Sequence, residues 1–279
     1  QCLRLTLSGL TGGHSGYDIH RGRGSAISLL AAFLQSQPCR IHSLNGGSGY
    51  NAIPARVEAV VCVENAQRFS TAVGEWEQKL RQACRETDPA LAIFLSNVQV
   101  INTVWDDRTQ NAILRFLTTL PCGVLRRFDD GTTADSANLA VVETGKTAVT
   151  VRHFARSATH AAQAQMERDT AALAAANQFI RAEYSAYAPW ESAPDSPLLR
   201  LVRRCYLARR GAELAAQRVH VGLECALLVE KAPQMQAVSL GCNIRDAHAV
   251  TERVELRSME RLEELLRDIL LTLTEEDNK

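Results

Sequence analysis

Leu3, Leu5 and Leu7 alternate with Arg4 and Thr6 at the start of the chain. That period of two sets one face of a β-strand against a core and leaves the other polar. The period then becomes helical. Ile27, Leu29, Leu30, Phe33 and Leu34 recur at helical spacing until Pro38 ends the run. A strand at 40–44, the turn Asn45-Gly46-Gly47-Ser48-Gly49 and a strand at 56–63 follow. A helix over 66–86 aligns Phe69, Val73, Trp76 and Leu80 on one stripe, and 91–98 returns as a strand. The rhythm resumes with a helix at 109–120, strands near 123–128, 136–143 and 148–154, and a long helix at 160–180. A sheet covered by helices is implied.

At 184–197 the composition changes, with Pro189, Pro194 and Pro197 among Trp190, Ser192 and Asp195. Such a turn-rich crossing marks a domain boundary, so the expected units are 1–190 and 191–279. Beyond it the pattern predicts a helix at 198–212, a short strand entering His220-Val221-Gly222-Leu223-Glu224-Cys225, an apolar strand at 237–241 and a charged helix at 258–273. Alternating helices and strands are what part of a parallel sheet looks like, and the piece is small for a domain.

With 46% hydrophobic and 22% charged residues, 279 residues bury a substantial core. Lys plus Arg and Asp plus Glu both total 31, so no basic excess exists to hold a phosphate backbone, and nucleic acid is not expected as a partner. No apolar run approaches the roughly 20 residues of a membrane helix, so no membrane association is expected either. The eight cysteines are scattered singly, without the short pairs of zinc knuckles or redox motifs. Most are expected as reduced, buried thiols in the cytoplasm, although the even count leaves oxidised pairs open. The first seven residues carry no signal-peptide pattern and read as a strand already in progress, so the chain is expected to begin in mid-domain.

Three segments could carry chemistry. In Gly12-Gly13-His14-Ser15-Gly16 the glycines permit a sharp turn and close backbone approach, and His14 could donate to a developing oxyanion; a plain strand-to-helix turn with an exposed histidine is the alternative. Asn51, in Asn51-Ala52-Ile53-Pro54 after Asn45-Gly46-Gly47, offers donor and acceptor to a peptide or carboxylate, or serves only a hairpin. His220, Glu224 and His248 are zinc-ligand or general-base types near expected strand ends, or simply structural side chains. Arg152, in Val151-Arg152-His153-Phe154, could clamp a carboxylate or make a surface ion pair. Asp129-Asp130 precedes Gly131 and reads as a solvated turn.

Taken together, Gly-Leu-Thr-Gly-Gly-His-Ser-Gly (9–16), Asn-Gly-Gly with Asn-Ala-Ile-Pro (45–54), Ser-Ala-Tyr-Ala-Pro-Trp-Glu (185–191), His-Val-Gly-Leu-Glu-Cys (220–225) and Arg-Asp-Ala-His (245–248) resemble the aminoacyl-histidine dipeptidases of the co-catalytic zinc exopeptidase family, in family order. The resemblance implies an α+β lid domain, a mostly antiparallel sheet with helices on one face, followed by an α/β segment of a zinc-exopeptidase catalytic domain. It implies hydrolysis of carnosine-like Xaa-His dipeptides at a two-zinc site, with His14 as the lid histidine that stabilises the oxyanion. Asn51 and Arg152 then contact substrate from the lid, Glu224 lines the pocket near the substrate's C-terminal side, and His248 is the last metal ligand. The family's other metal ligands and its general-base glutamate would precede residue 1. This chain alone is therefore expected to be inactive, to hold no zinc stably and to need an N-terminal catalytic segment as partner; a homodimer is compatible. A truncated paralogue acting as a binding or dimerisation module is the alternative. Ala226 stands where the family usually has glycine, and Ala249-Val250-Thr251 replaces Ser-Pro-Asp.

Overall fold

A computed structural model describes residues 1–99, 101, 103–182, 188–191, 195–245 and 252–277. They fall into two compact units, Gln1–Ala186 and Tyr187–Lys279. In the first, strand β1 (Cys2–Ser8) lies between β3 (Val57–Cys62) and β4 (Ala92–Asn97), antiparallel to both. Register puts Leu3, Leu5 and Leu7 opposite Val61, Ala59 and Val57. Five of these six side chains are fully buried, and Leu3 is 4% exposed. The opposite face is polar, with Arg4 paired to Glu58 at 3.1 Å.

Strand β2 (Arg40–Gly46) continues the sheet from β3 and meets β6 (Thr133–Thr144) through Gly46 and Val142. The Asn45-Gly46-Gly47 turn makes this junction. The Asn45 carboxamide oxygen accepts from Thr144 N at 2.8 Å, and a Cβ at Gly47 would lie 1.9 Å from Ala140 O, so only glycine fits. β5 (Gly123–Arg127) and β7 (Val149–Ser157) both pair antiparallel with β6, completing the order β4-β1-β3-β2-β6-β5 with β7 also on β6.

Helices α1 (Ala26–Gln35), α2 (Ala66–Ala83) and α3 (Asp107–Thr119) cover the leucine face. Their buried stripes hold Ile27, Leu30 and Leu34, Phe69 and Val73, and Ile113, Leu114 and Leu117. Phe33 stacks on Trp76 at 4.4 Å between ring centroids. Asn65 and Asp106 cap α2 and α3 through their side-chain oxygens. Helix α4 (His160–Ala176) stops short of residue 180. Gln178, at φ 63°, turns the chain back, and Phe179 then stacks on Phe116 at 4.2 Å. Burial of an aromatic ring outweighs continuation of an alanine-rich helix.

The cysteine expectation is partly overturned. Register brings Cys2 opposite Cys62, and their sulfurs form a disulfide across 60 residues of sequence. Of the six free thiols, only Cys39 and Cys205 are buried.

The second unit packs α5 (Pro197–Arg210) on α7 (Leu256–Asp277) through Leu201, Val202, Cys205, Leu265 and Ile269. Arg210 pairs with Glu264 at 2.8 Å and Arg209 with Asp268. Ser196 caps α5, and Gly211, in the left-handed conformation, ends it. The strands expected at 220–225 and 237–241 are not formed. Helix α6 (Glu224–Lys231) begins at Glu224, 237–241 is irregular, and the described strands are a two-residue hairpin, β8 (Ile244–Arg245) with β9 (Arg253–Val254). An apolar run becomes a strand only where a neighbouring strand takes up its backbone groups, and 237–241 has none among the described residues.

Candidate lid-type functional site

The loop after β1 is held by one carboxylate. Asp88, 1% exposed, accepts from Thr11 N at 2.8 Å, Gly24 N at 2.9 Å and the Thr87 hydroxyl at 2.8 Å. It thereby pins both ends of the segment that carries His14. Within the segment, Gly13 has φ 120°, and a Cβ there would lie 2.3 Å from the Arg23 guanidinium and 2.7 Å from Asp18. Arg23 donates to Gly12 O at 2.6 Å, while Asp18 accepts from His14 N at 2.9 Å.

His14 is half-buried and its ring orientation is defined. Nδ1 accepts from Gly16 N at 3.1 Å and Tyr17 N at 3.0 Å. In a neutral imidazole the proton then sits on Nε2, which becomes the donor. A two-way backbone clasp sets His14 beside the Asn51 segment: Ser15 N donates to Asn51 O at 2.7 Å and Ile53 N to Gly13 O at 2.8 Å, with His14 bridging Ala52. Ser15 itself is 1% exposed. Two motifs separated by helix α1 and strand β2 thus become one surface.

β7 joins them. Arg152, Phe154 and Arg156 alternate on one face of that strand, and Phe154 lies opposite Asn138 of β6. Asn138 donates to Ala52 O at 2.7 Å. Tyr50, next to Asn51, meets Phe154 edge-on at 5.5 Å, and the Arg156 guanidinium lies 4.6 Å over the Phe154 ring. Arg152 is exposed, because Val149 and Val151 take the core side. Asp88, Asn138 and Arg156 were missed. Arg156 shares Arg152's strand periodicity and was accessible to that reasoning; the other two are visible only through long-range contacts.

In the second unit Glu224 opens α6 and is exposed, and Ala226 is buried. His220 lies in irregular chain. His248 lies outside the described residues. Among the described residues no three His, Cys, Asp or Glu come together as a metal cage, and no helix is long and apolar enough to cross a membrane.

No family model matches the sequence. The chain is 30% identical to the cytosol non-specific dipeptidase of Escherichia coli (strain K12), over 97% of its own length and 57% of that protein. Its fold superposes on the crystal structure of aminoacylhistidine dipeptidase from Vibrio alginolyticus with a TM-score of 0.87 and 29% identity, covering 98% of this chain and 57% of the other. These relatives are dipeptidases, hydrolases that act on peptide bonds. The chain is homologous to them over nearly its whole length, and both the resemblance to aminoacyl-histidine dipeptidases and the expected fold class stand; it spans little more than half the length of either relative.

Proposed function

We propose that residues 1–190 are the lid and residues 191–279 the C-terminal catalytic segment of a cytoplasmic zinc dipeptidase that hydrolyses Xaa-His peptides. One observation carries the lid reading. The His14 ring is clasped through Nδ1 by two backbone N–H groups, which turns Nε2 into a fixed donor beside Asn51. A donor held before reaction meets oxyanion charge without reorganisation, so it favours the transition state over bound substrate. Asn51 supplies amide donors and an acceptor to the dipeptide backbone, and an arginine of β7 takes its carboxylate. Arg152 is the exposed candidate. Arg156 is favoured as a second by its seat on Phe154, which touches Tyr50 beside Asn51. Glu224 lines the substrate's C-terminal side and His248 contributes one metal ligand.

Zinc in such an enzyme polarises the scissile carbonyl and activates water. Among the described residues no three His, Cys, Asp or Glu come together to hold it; on the proposed reading another segment supplies the remaining ligands, and the isolated chain is inactive. The test is zinc-supplemented hydrolysis of carnosine and other Xaa-His dipeptides by this chain and by the full product of its gene. Turnover by the pure 279-residue chain would refute the assignment of the metal centre to another segment. In the active form, His14→Ala should lower kcat by about 100-fold or more with KM little changed. A rise in KM at unchanged kcat would remove His14 from the transition state.

A further inference from the structure

The turn that presents His14 is closed on both sides by one residue. Asp18 Oδ2 accepts from His14 N at 2.9 Å, and Asp18 N donates to His14 O at 2.8 Å. Both peptide groups that flank the His14 side chain are thereby committed to a residue four positions on. Within that closed turn Gly16 N and Tyr17 N come to 3.1 Å and 3.0 Å from the imidazole Nδ1. The donors that set the ring are themselves set by Asp18.

Charge holds the carboxylate in turn. Its Oδ1 lies 3.1 Å from Arg21 Nε and 3.5 Å from Arg23 Nη1, and Arg23 Nη1 also donates to Gly12 O at 2.6 Å. The Asp18 and Arg23 side chains are 16% and 14% exposed, so salt and water screen this pair less than a surface pair. Gly13 leaves them the room, because a Cβ there would fall 2.3 Å from Arg23 Nη1 and 2.7 Å from Asp18 Oδ2. An ionised acceptor makes the bond to His14 N roughly twice as strong as a neutral one. Such rigidity matters most for a group that must point at a reacting atom, where a misplacement of about 1 Å costs about 100-fold in rate.

We propose that Asp18, steadied by Arg23, is the positioning residue for His14: it acts through the imidazole, fixing the direction in which Nε2 donates, and makes no contact with substrate. The proposal rests on the hydrolytic reading of His14 and deepens it.

The test uses the full product of the gene, with the 279-residue chain as a second arm. In the full product, Asp18→Ala should lower kcat on Xaa-His dipeptides by about 10- to 100-fold with KM little changed. Asp18→Asn, which keeps an oxygen for His14 N, should recover most of that loss. In a His14→Ala background, Asp18→Ala should cost less than about threefold, because residues that act as a unit are not additive. A role in stability alone would give no such dependence. In the 279-residue chain, Asp18→Ala should speed hydrogen exchange at Gly16 and Tyr17 by about tenfold or more, while Thr11 and Gly24, which Asp88 holds, stay protected. An equal loss of kcat in both backgrounds, a rise in KM at unchanged kcat, or unchanged exchange at Gly16 and Tyr17 would each overturn the proposal. A parent full product without turnover on these dipeptides would overturn the hydrolytic reading instead, and exchange at Gly16 and Tyr17 then decides whether Asp18 sets the ring.

Discussion

Replacing Asp88 tests whether a single buried carboxylate organises the His14 loop. In Asp88→Ala the amides of Thr11 and Gly24 lose acceptors at 2.8 Å and 2.9 Å, in a place where the side chain was 1% exposed. A buried donor left unpaired costs about 1–3 kcal/mol. Two such donors imply about 2–6 kcal/mol, toward the lower figure if water enters the space. Set against typical total stabilities of about 5–15 kcal/mol, this is a large share. Asp88→Asn keeps one acceptor oxygen and should cost about 1–3 kcal/mol. Urea unfolding gives the free energies, and hydrogen exchange at Thr11 and Gly24 locates them. Both amides should lose protection ahead of those in β1, because the anchors fail before the sheet does. A loss under about 1 kcal/mol in Asp88→Ala, with both amides still protected, would refute the pinning role.

Two glycines should respond in opposite directions. Gly13→Ala forces a side chain into φ 120° and against Arg23 and Asp18, so it should destabilise by about 1–3 kcal/mol. Gly74→Ala, inside α2 with nothing within 4 Å of the new methyl, should stabilise by about 0.5–1 kcal/mol; equal effects in denaturant melts would contradict the backbone account. His153 faces away from the Arg152 side of β7, and desolvation lowers its pKa despite the 2.9 Å contact with Pro121 O. The unfolded chain then takes up a proton first as pH falls through about 6.5, so stability is full above that value and declines as pH falls toward the folded one. Melts at pH 7.5 and 5.5 should show a smaller difference in His153→Gln than in the parent, and an unchanged difference would refute it.

Much of the first unit was legible because its strands and helices follow short-range periods that a local reading detects. Leu3, Leu5 and Leu7 announce a strand with one buried face wherever they lie in a fold. The second unit was less legible at 220–225 and 237–241, since an apolar run specifies burial but not the neighbour that makes it a strand. For the site, the ordered motifs pointed to dipeptidases and singled out His14 and Asn51, while Arg152 stood open between a carboxylate clamp and a surface ion pair, because periodicity alone does not say which face of β7 meets the core.

The sequence by itself determined the element pattern of the first unit, the resemblance to dipeptidases and the His14 and Asn51 loops, since each depends on residues close together in the chain. Tertiary structure alone decided the Cys2–Cys62 disulfide, the hold of Asp88 on Thr11 and Gly24 and the bond from Asn138 to Ala52. Those contacts span 60 to 86 residues. Strand register sets them. Register is a cooperative choice made by the whole packed sheet, in which a slip of one residue would send every leucine of β1 to the wrong face.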